Sequence, residues 1–123
     1  METQTERVSI TIETKRSSIR LHNALYRCLG EPQYVQLLVN PTGKKFCIKS
    51  VDSMSASAQP IKVYKPKTPD KNYEIYSCTL VRKLLDELNL PDENLSYRVH
   101  GVALTTEHIA IFSFATLENT TEL

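Results

Sequence analysis

The sequence predicts a mostly β, α+β fold built from two related strand-turn-strand-helix-strand-strand units that share one small barrel. Three observations point there. Short segments alternate apolar and polar residues along most of the chain, the pattern of half-buried strands. Each half carries one short amphipathic helix that follows a strand almost without a connector, at 17–30 and at 73–88. The order of elements then runs twice through the 123 residues. A unit of about 45 residues cannot bury its faces alone, and pairing it with a copy of itself gives both a core.

Val8, Ile10 and Ile12 alternate with Ser9, Thr11 and Glu13, which makes a first strand. The polar run Thr14 to Ser18 is a turn, and Ile19 and Leu21 form a short second strand. His22 or Asn23 then caps a helix of about two turns, Asn being a preferred N-cap. Gly30 ends it where a left-handed residue is wanted, and Pro32 prevents continuation. Tyr34 to Asn40 and Phe46 to Val51 are strands joined by a hairpin loop that contains Gly43. Small polar residues without periodicity at 52–60 read as a connector, so the expected units are 1–52 and 60–123 with a linker at 53–59. Ile61 and Val63 alternate again, and a proline-punctuated turn at 66–72 leads to the strand Tyr73 to Ser77. Ser77 caps the helix Cys78 to Leu88, whose Leu80, Leu84, Leu85 and Leu88 form one stripe. Ser96 to Gly101 and Ile109 to Leu117 are the last strands. The final one is apolar on both faces from Ile109 to Phe112, so it calls for cover on both sides. The two helices share the spacing L-x-R-x-L, at Leu25 to Leu29 and at Leu80 to Leu84, and each is followed by a tyrosine-led strand.

Charge is uneven although the net is +1. Residues 1–50 hold eight basic against four acidic side chains, and residues 84–123 hold one basic against seven acidic. Such a chain can present a cationic face. Cys28, Cys47 and Cys78 have no CxxC spacing, which argues against a zinc knuckle or a redox pair. Cys28 and Cys47 fall in apolar patterns that suit core thiols. The first ten residues carry no apolar run and no segment reaches the roughly 20 residues of a membrane span, so a cytoplasmic protein without membrane partner is expected.

The stretch "LHNALYRCLG", with Leu25, Arg27, Leu29 and Gly30, followed by the hairpin "YVQLLVNPTGKKFCIKS", resembles the short helix and hairpin of the AbrB-like swapped-hairpin family. Two such units in one chain resemble the tandem, MraZ-like arrangement. The resemblance implies a swapped-hairpin-type barrel, a homodimer, and duplex DNA binding of transcription-regulator type. It implies DNA contacts from Lys15, Arg16, Arg20 and Arg27 in the first unit and from Lys67, Lys71 and Arg82 in the second. Several cations on one face would neutralise phosphates, and the planar fork of Arg16 or Arg20 suits a guanine edge. The family's Gly-Arg before the second strand is Ser17-Ser18 here, its proline before the helix is His22, and the second turn also lacks Gly-Arg. These departures fall on the DNA-contacting positions. They and the acidic C-terminal half favour an alternative, a dimeric interaction module on the same fold that does not bind DNA.

An enzyme is not expected, and no cofactor or metal is implied. His22, His100 and His108 are scattered, His22 at a helix start and the other two at strand ends or in loops. No Ser-His-Asp, HExxH, P-loop or GxGxxG pattern occurs. Cys78 with His100 is the one conceivable nucleophile and base, and nothing in their spacing requires it. Asp86, Glu87, Asp92 and Glu93 make a solvated acidic face.

Overall fold

The structure, a computed structural model, describes residues 5–40, 42, 44–64, 72–90 and 95–119. Its elements in chain order are β1 (Thr5–Glu13), β2 (Ser18–Leu21), α1 (Asn23–Cys28), β3 (Tyr34–Asn40), β4 (Lys45–Val51), β5 (Gln59–Pro60), β6 (Lys62–Tyr64), β7 (Asn72–Tyr76), α2 (Cys78–Leu88), β8 (Ser96–Leu104), β9 (Ile109–Ser113), a 3-10 turn at Phe114–Thr116 and β10 (Glu118–Asn119). Residues 66–71 of the turn expected at 66–72, Gly43 of the hairpin loop, and Asp92 and Glu93 of the acidic face lie outside the described residues.

All strands pair antiparallel in the order β5-β3-β4-β9-β8-β1-β2-β7-β6, with β10 added to β8. Only Ile61 separates β5 from β6, and its N–H donates to the Gln33 carbonyl at 2.9 Å. The segment 59–64 therefore lies between β3 and β7 and nearly closes the sheet into a barrel. The hairpins interleave within the single chain, because β1-β2 sits between β8 and β7, and β3-β4 sits beside β9. With β5 and β6 counted as one strand, the cyclic order is unchanged when β1–β4 are exchanged for β6–β9. The two seams that this exchange relates are unequal. β1 and β8 pair over nine residues from Thr5↔Leu104 to Glu13↔Ser96, whereas β3 and β5 pair only at Tyr34↔Pro60 and Val35↔Gln59.

Alternation sets the barrel interior. Ile10 and Ile12 face Val99 and Tyr97 on one side and Leu21 and Ile19 on the other, all buried. Phe46 and Phe112 lie opposite each other on β4 and β9 and stack with ring centroids 5.0 Å apart. Gly101 is opposite Phe112, and a Cβ there would stand 2.3 Å from the Ile111 carbonyl oxygen and 2.7 Å from Phe112 Cδ1. The glycine is needed for this close approach of ring and backbone. At the far end of β1, Thr14 Oγ1 donates to the Leu95 carbonyl at 2.9 Å and accepts from its N–H at 2.7 Å, anchoring the entry to β8.

Both helices follow strands directly, and they differ at their starts. Ser77 Oγ accepts from Leu80 N–H at 3.1 Å, the cap expected from the sequence. His22 is the N-cap of α1 but makes no side-chain cap bond, and Asn23 is already helical. α1 ends as the glycine predicts, with Gly30 at φ 83°. Burial matches Leu25, Cys28 and Leu29 with Val81, Leu84 and Leu85. This moves the helix correspondence one residue along from the L-x-R-x-L alignment, so the counterpart of Arg27 is Lys83 rather than Arg82.

Gly101→Ala is expected to lower the unfolding free energy by about 2 kcal/mol, because the clash is with backbone and cannot relax by a rotamer change. Ser77→Ala, which removes one cap bond, is expected to cost about 1 kcal/mol. Urea unfolding of both variants checks the order.

Candidate functional site

Arg16 and Arg20 stand at the β1–β2 turn and on β2. Register places Arg20 between Thr11 on β1 and Glu74 on β7. Glu74 is a fully buried carboxylate on the polar face of the sheet. Arg16 grips it with both terminal nitrogens, Nη1 to Oε1 and Nη2 to Oε2 at 3.3 Å each. Tyr76 Oη also donates to Oε2, and Arg16 Nη2 donates to Tyr76 Oη at 2.7 Å. Arg20 pairs through Nη2 with Glu13 Oε1, and its Nε lies 3.9 Å from Glu74 Oε1. Both arginine side chains are about one-third exposed, 32% for Arg16 and 31% for Arg20. They neutralise a buried carboxylate, a job that a buried charge demands of its neighbours.

The other residues expected to contact DNA do not join this cluster through any recorded bond. Lys15 is exposed in the turn, Arg27 is exposed in the last turn of α1, and Arg82 is exposed on α2. Lys67 and Lys71 lie outside the described residues.

His22 and His100 do more than the sequence suggested. His100 sits within β8 opposite Ser9, not at a strand end, and its Nε2 is 3.1 Å from Glu118 Oε1. The His22 ring bridges two β1 hydroxyls, Nδ1 to Ser9 Oγ at 3.0 Å and Nε2 to Thr11 Oγ1 at 2.9 Å. Burial, then the charges of Arg98, Arg20 and His100, hold its pKa below the ordinary 6.5. Cys28 donates to Glu6 Oε2 at 3.1 Å, and burial with that bond pushes the thiol up to about 11. It is an inert thiol. Among the described residues no group of three or more His, Cys, Asp or Glu is placed to hold a metal, and no helix is long and apolar enough to cross a membrane.

The most informative surface comes from β9. Its sequence calls for cover on both faces, and the described residues supply cover on one. Ala110 and Phe112 are buried, while Ile111 is 42% exposed. Register extends this exposure into a stripe across the sheet. Leu38 lies opposite Cys47, Cys47 opposite Ile111, Ile111 opposite Val102, and Val102 opposite Arg7. Leu38 and Val102 are 46% and 43% exposed. Cys47 belongs to this face and is only half-buried, so it is not the core thiol that the sequence suggested. Lys45 and Lys49 flank Cys47 along β4, and Arg7 closes the stripe at β1. None of the paired strand positions in the stripe or in the Gln36–Lys49–Ile109–Leu104–Thr5 row beside it is acidic.

The β8–β9 end of this stripe deepens into a groove of about 780 Å³, walled by Val102, Leu104 and Ile111 with Arg7, Lys45, His22 and His100 at its edges. A smaller recess of about 250 Å³, lined by Arg20, Leu21, His22, Asn23 and Arg98, adjoins it at His22. No family model, no curated protein and no solved structure matches the chain.

Glu74→Ala is expected to cost roughly 1–2 kcal/mol, since it removes the buried acceptor of Arg16 and Tyr76 while Arg16 and Arg20 keep Glu13 and partial contact with water. Adding Arg16→Met to Glu74→Leu is expected to recover part of the loss in a double-mutant cycle. A histidine with a lowered pKa stabilises the fold above its unfolded value and loses that contribution as pH falls through the folded value. The urea midpoint is therefore expected to fall as pH drops from 7 toward 5, and His22→Gln to flatten that slope.

Proposed function

We propose that the protein is an interaction module that docks an acidic, partly apolar segment of another protein on the β3-β4-β9-β8 face. The observation that carries this reading is the exposed stripe Leu38–Cys47–Ile111–Val102, rimmed by Lys45, Lys49 and Arg7. Aligned apolar side chains that a strand pattern marks for burial, left in contact with water, are the usual signature of a docking surface. Apolar contacts at the centre with charge at the rim is the anatomy of protein interfaces, and cations without carboxylates between them select an acidic partner.

Duplex DNA binding of transcription-regulator type, which the family resemblance implies, rests on Arg16 and Arg20. Both are engaged with Glu13 and Glu74 of their own chain, which weakens that reading. DNA would require those ion pairs to open, and the cationic rim encloses an apolar centre that phosphates do not seek.

Two measurements test the reading. Fluorescence anisotropy against a labelled random duplex is expected to show no tight, steeply salt-dependent binding at physiological salt, and such binding, if lost in Arg16→Ala with Arg20→Ala, overturns it. Affinity capture with wild type, Leu38→Glu and Lys45→Glu with Lys49→Glu is expected to lose the same partner in both variants. The Leu38→Glu loss should reach about 2 kcal/mol, roughly 30-fold, with an unchanged melting temperature. Retention of every captured protein by both variants would sink the docking face.

A further inference from the structure

We propose that the groove and the recess that shares His22 with it form one binding site for a small amphipathic anion, with an apolar body over Val102, Leu104 and Ile111 and a carboxylate or phosphate head at Arg98. Two observations carry this. First, the two cavities share His22 as a wall, one apolar and the other polar. Second, Arg98 Nε is buried with no hydrogen-bond partner, whereas Arg20 Nε has the Glu74 carboxylate 3.9 Å away. Buried donors are paired in the large majority of folded proteins, so the orphan on Arg98, which lines the recess, points to a missing acceptor.

The strand register explains why the ligand must be amphipathic. Residues on one face of β8 run Arg98, His100, Val102, Leu104, from cationic to apolar along a single line. Alternate positions are about 7 Å apart, so a head at Arg98 and a tail ending over Leu104 span about 20 Å. Arg20 flanks Thr11 on β1 from the side opposite Arg98, and Glu13 and Glu74 already hold its guanidinium. His22 is held against Ser9 and Thr11 and leaves the head to the Arg98 guanidinium. Glu118 stands opposite Arg98 across the β8–β10 pair and bonds His100, so the head competes with one carboxylate for Arg98. The volume of the groove suits a medium-length chain, within the range of small-molecule pockets.

This site does not rest on the protein-docking reading, although Arg7, Lys45, Val102 and Ile111 belong to both surfaces. Leu38, Cys47 and Lys49, the other end of the stripe, line neither cavity. The two ideas therefore fail separately.

The test is calorimetric titration of the full chain, below micelle formation, with dodecanoate, dodecyl phosphate, methyl dodecanoate and dodecyltrimethylammonium. Saturable 1:1 binding of one or both anions is expected, with the ester and the cation at least about tenfold weaker. The stronger of the two anions identifies the head group. Arg98→Met is expected to weaken that anion about tenfold or more, Val102→Glu to abolish its binding, and Leu38→Glu and Lys83→Met to leave it unchanged. Equal binding of the four amphiphiles, no saturable binding of either anion, or unchanged affinity in Arg98→Met overturns the proposal. The ester removes the charge from the ligand rather than the protein, so the result does not depend on whether Arg98→Met folds.

Discussion

The nine-residue ladder between β1 and β8 is the constraint on which the rest of the molecule depends. It joins the first strand of one half to the third strand of the other, and its register decides which face every neighbouring residue takes. Inward it sets Ile10 and Ile12 against Val99 and Tyr97. Outward it lines up Arg98 with Thr11, His100 with Ser9, and Val102 with Arg7. A slip of one residue would put isoleucines where His22 finds its hydroxyls and would bury the arginines. The Thr14–Leu95 pair of hydrogen bonds at one end prevents that slip.

The polar and apolar surfaces that follow have different characters. On the β2–β7 side, charge is internal business: two arginines, two carboxylates and a tyrosine hydroxyl satisfy one another around the buried Glu74. On the β4–β9 side, cations stand around apolar side chains with no carboxylate between them in the paired rows. A positive charge that already holds a partner contributes little to recognition, whereas an unopposed one raises encounter rates and selects sign. The location of the cations without an acidic neighbour in the paired rows, rather than the density of cations in the sequence, is what supports the docking reading of the β3-β4-β9-β8 face.

Much of the fold was legible. Alternation found the strands, Gly30 and Ser77 marked helix ends, and the doubled element order implied the interleaved barrel. The candidate docking face was not read from the sequence, in which β9's two apolar faces called for cover on both sides. The rest depended on register, which no local pattern encodes. Glu74 reads as an ordinary surface acid in a strand until β7 pairs with β2 and sets it opposite Arg20. His100 reads as a strand end because Gly101 follows, yet β8 continues to Leu104, since that glycine serves the Phe112 ring and not a turn. Cys47 looks like core because Phe46 and Ile48 beside it are core, and alternation puts it on the other face.

The same long ladder shapes how the protein is made. β1 leaves the ribosome well before β8 exists, and β2 must likewise wait for β7. β3 and β4 pair at once as a hairpin, but the central barrel strand β1 keeps one edge unsatisfied through most of synthesis. Pairing between segments so far apart is slow, and open strand edges are where nascent chains associate wrongly. The polar outer residues of β1, Ser9, Thr11 and Glu13, with Arg7 at its start, then have a second role: they keep that waiting edge in water until its partner arrives.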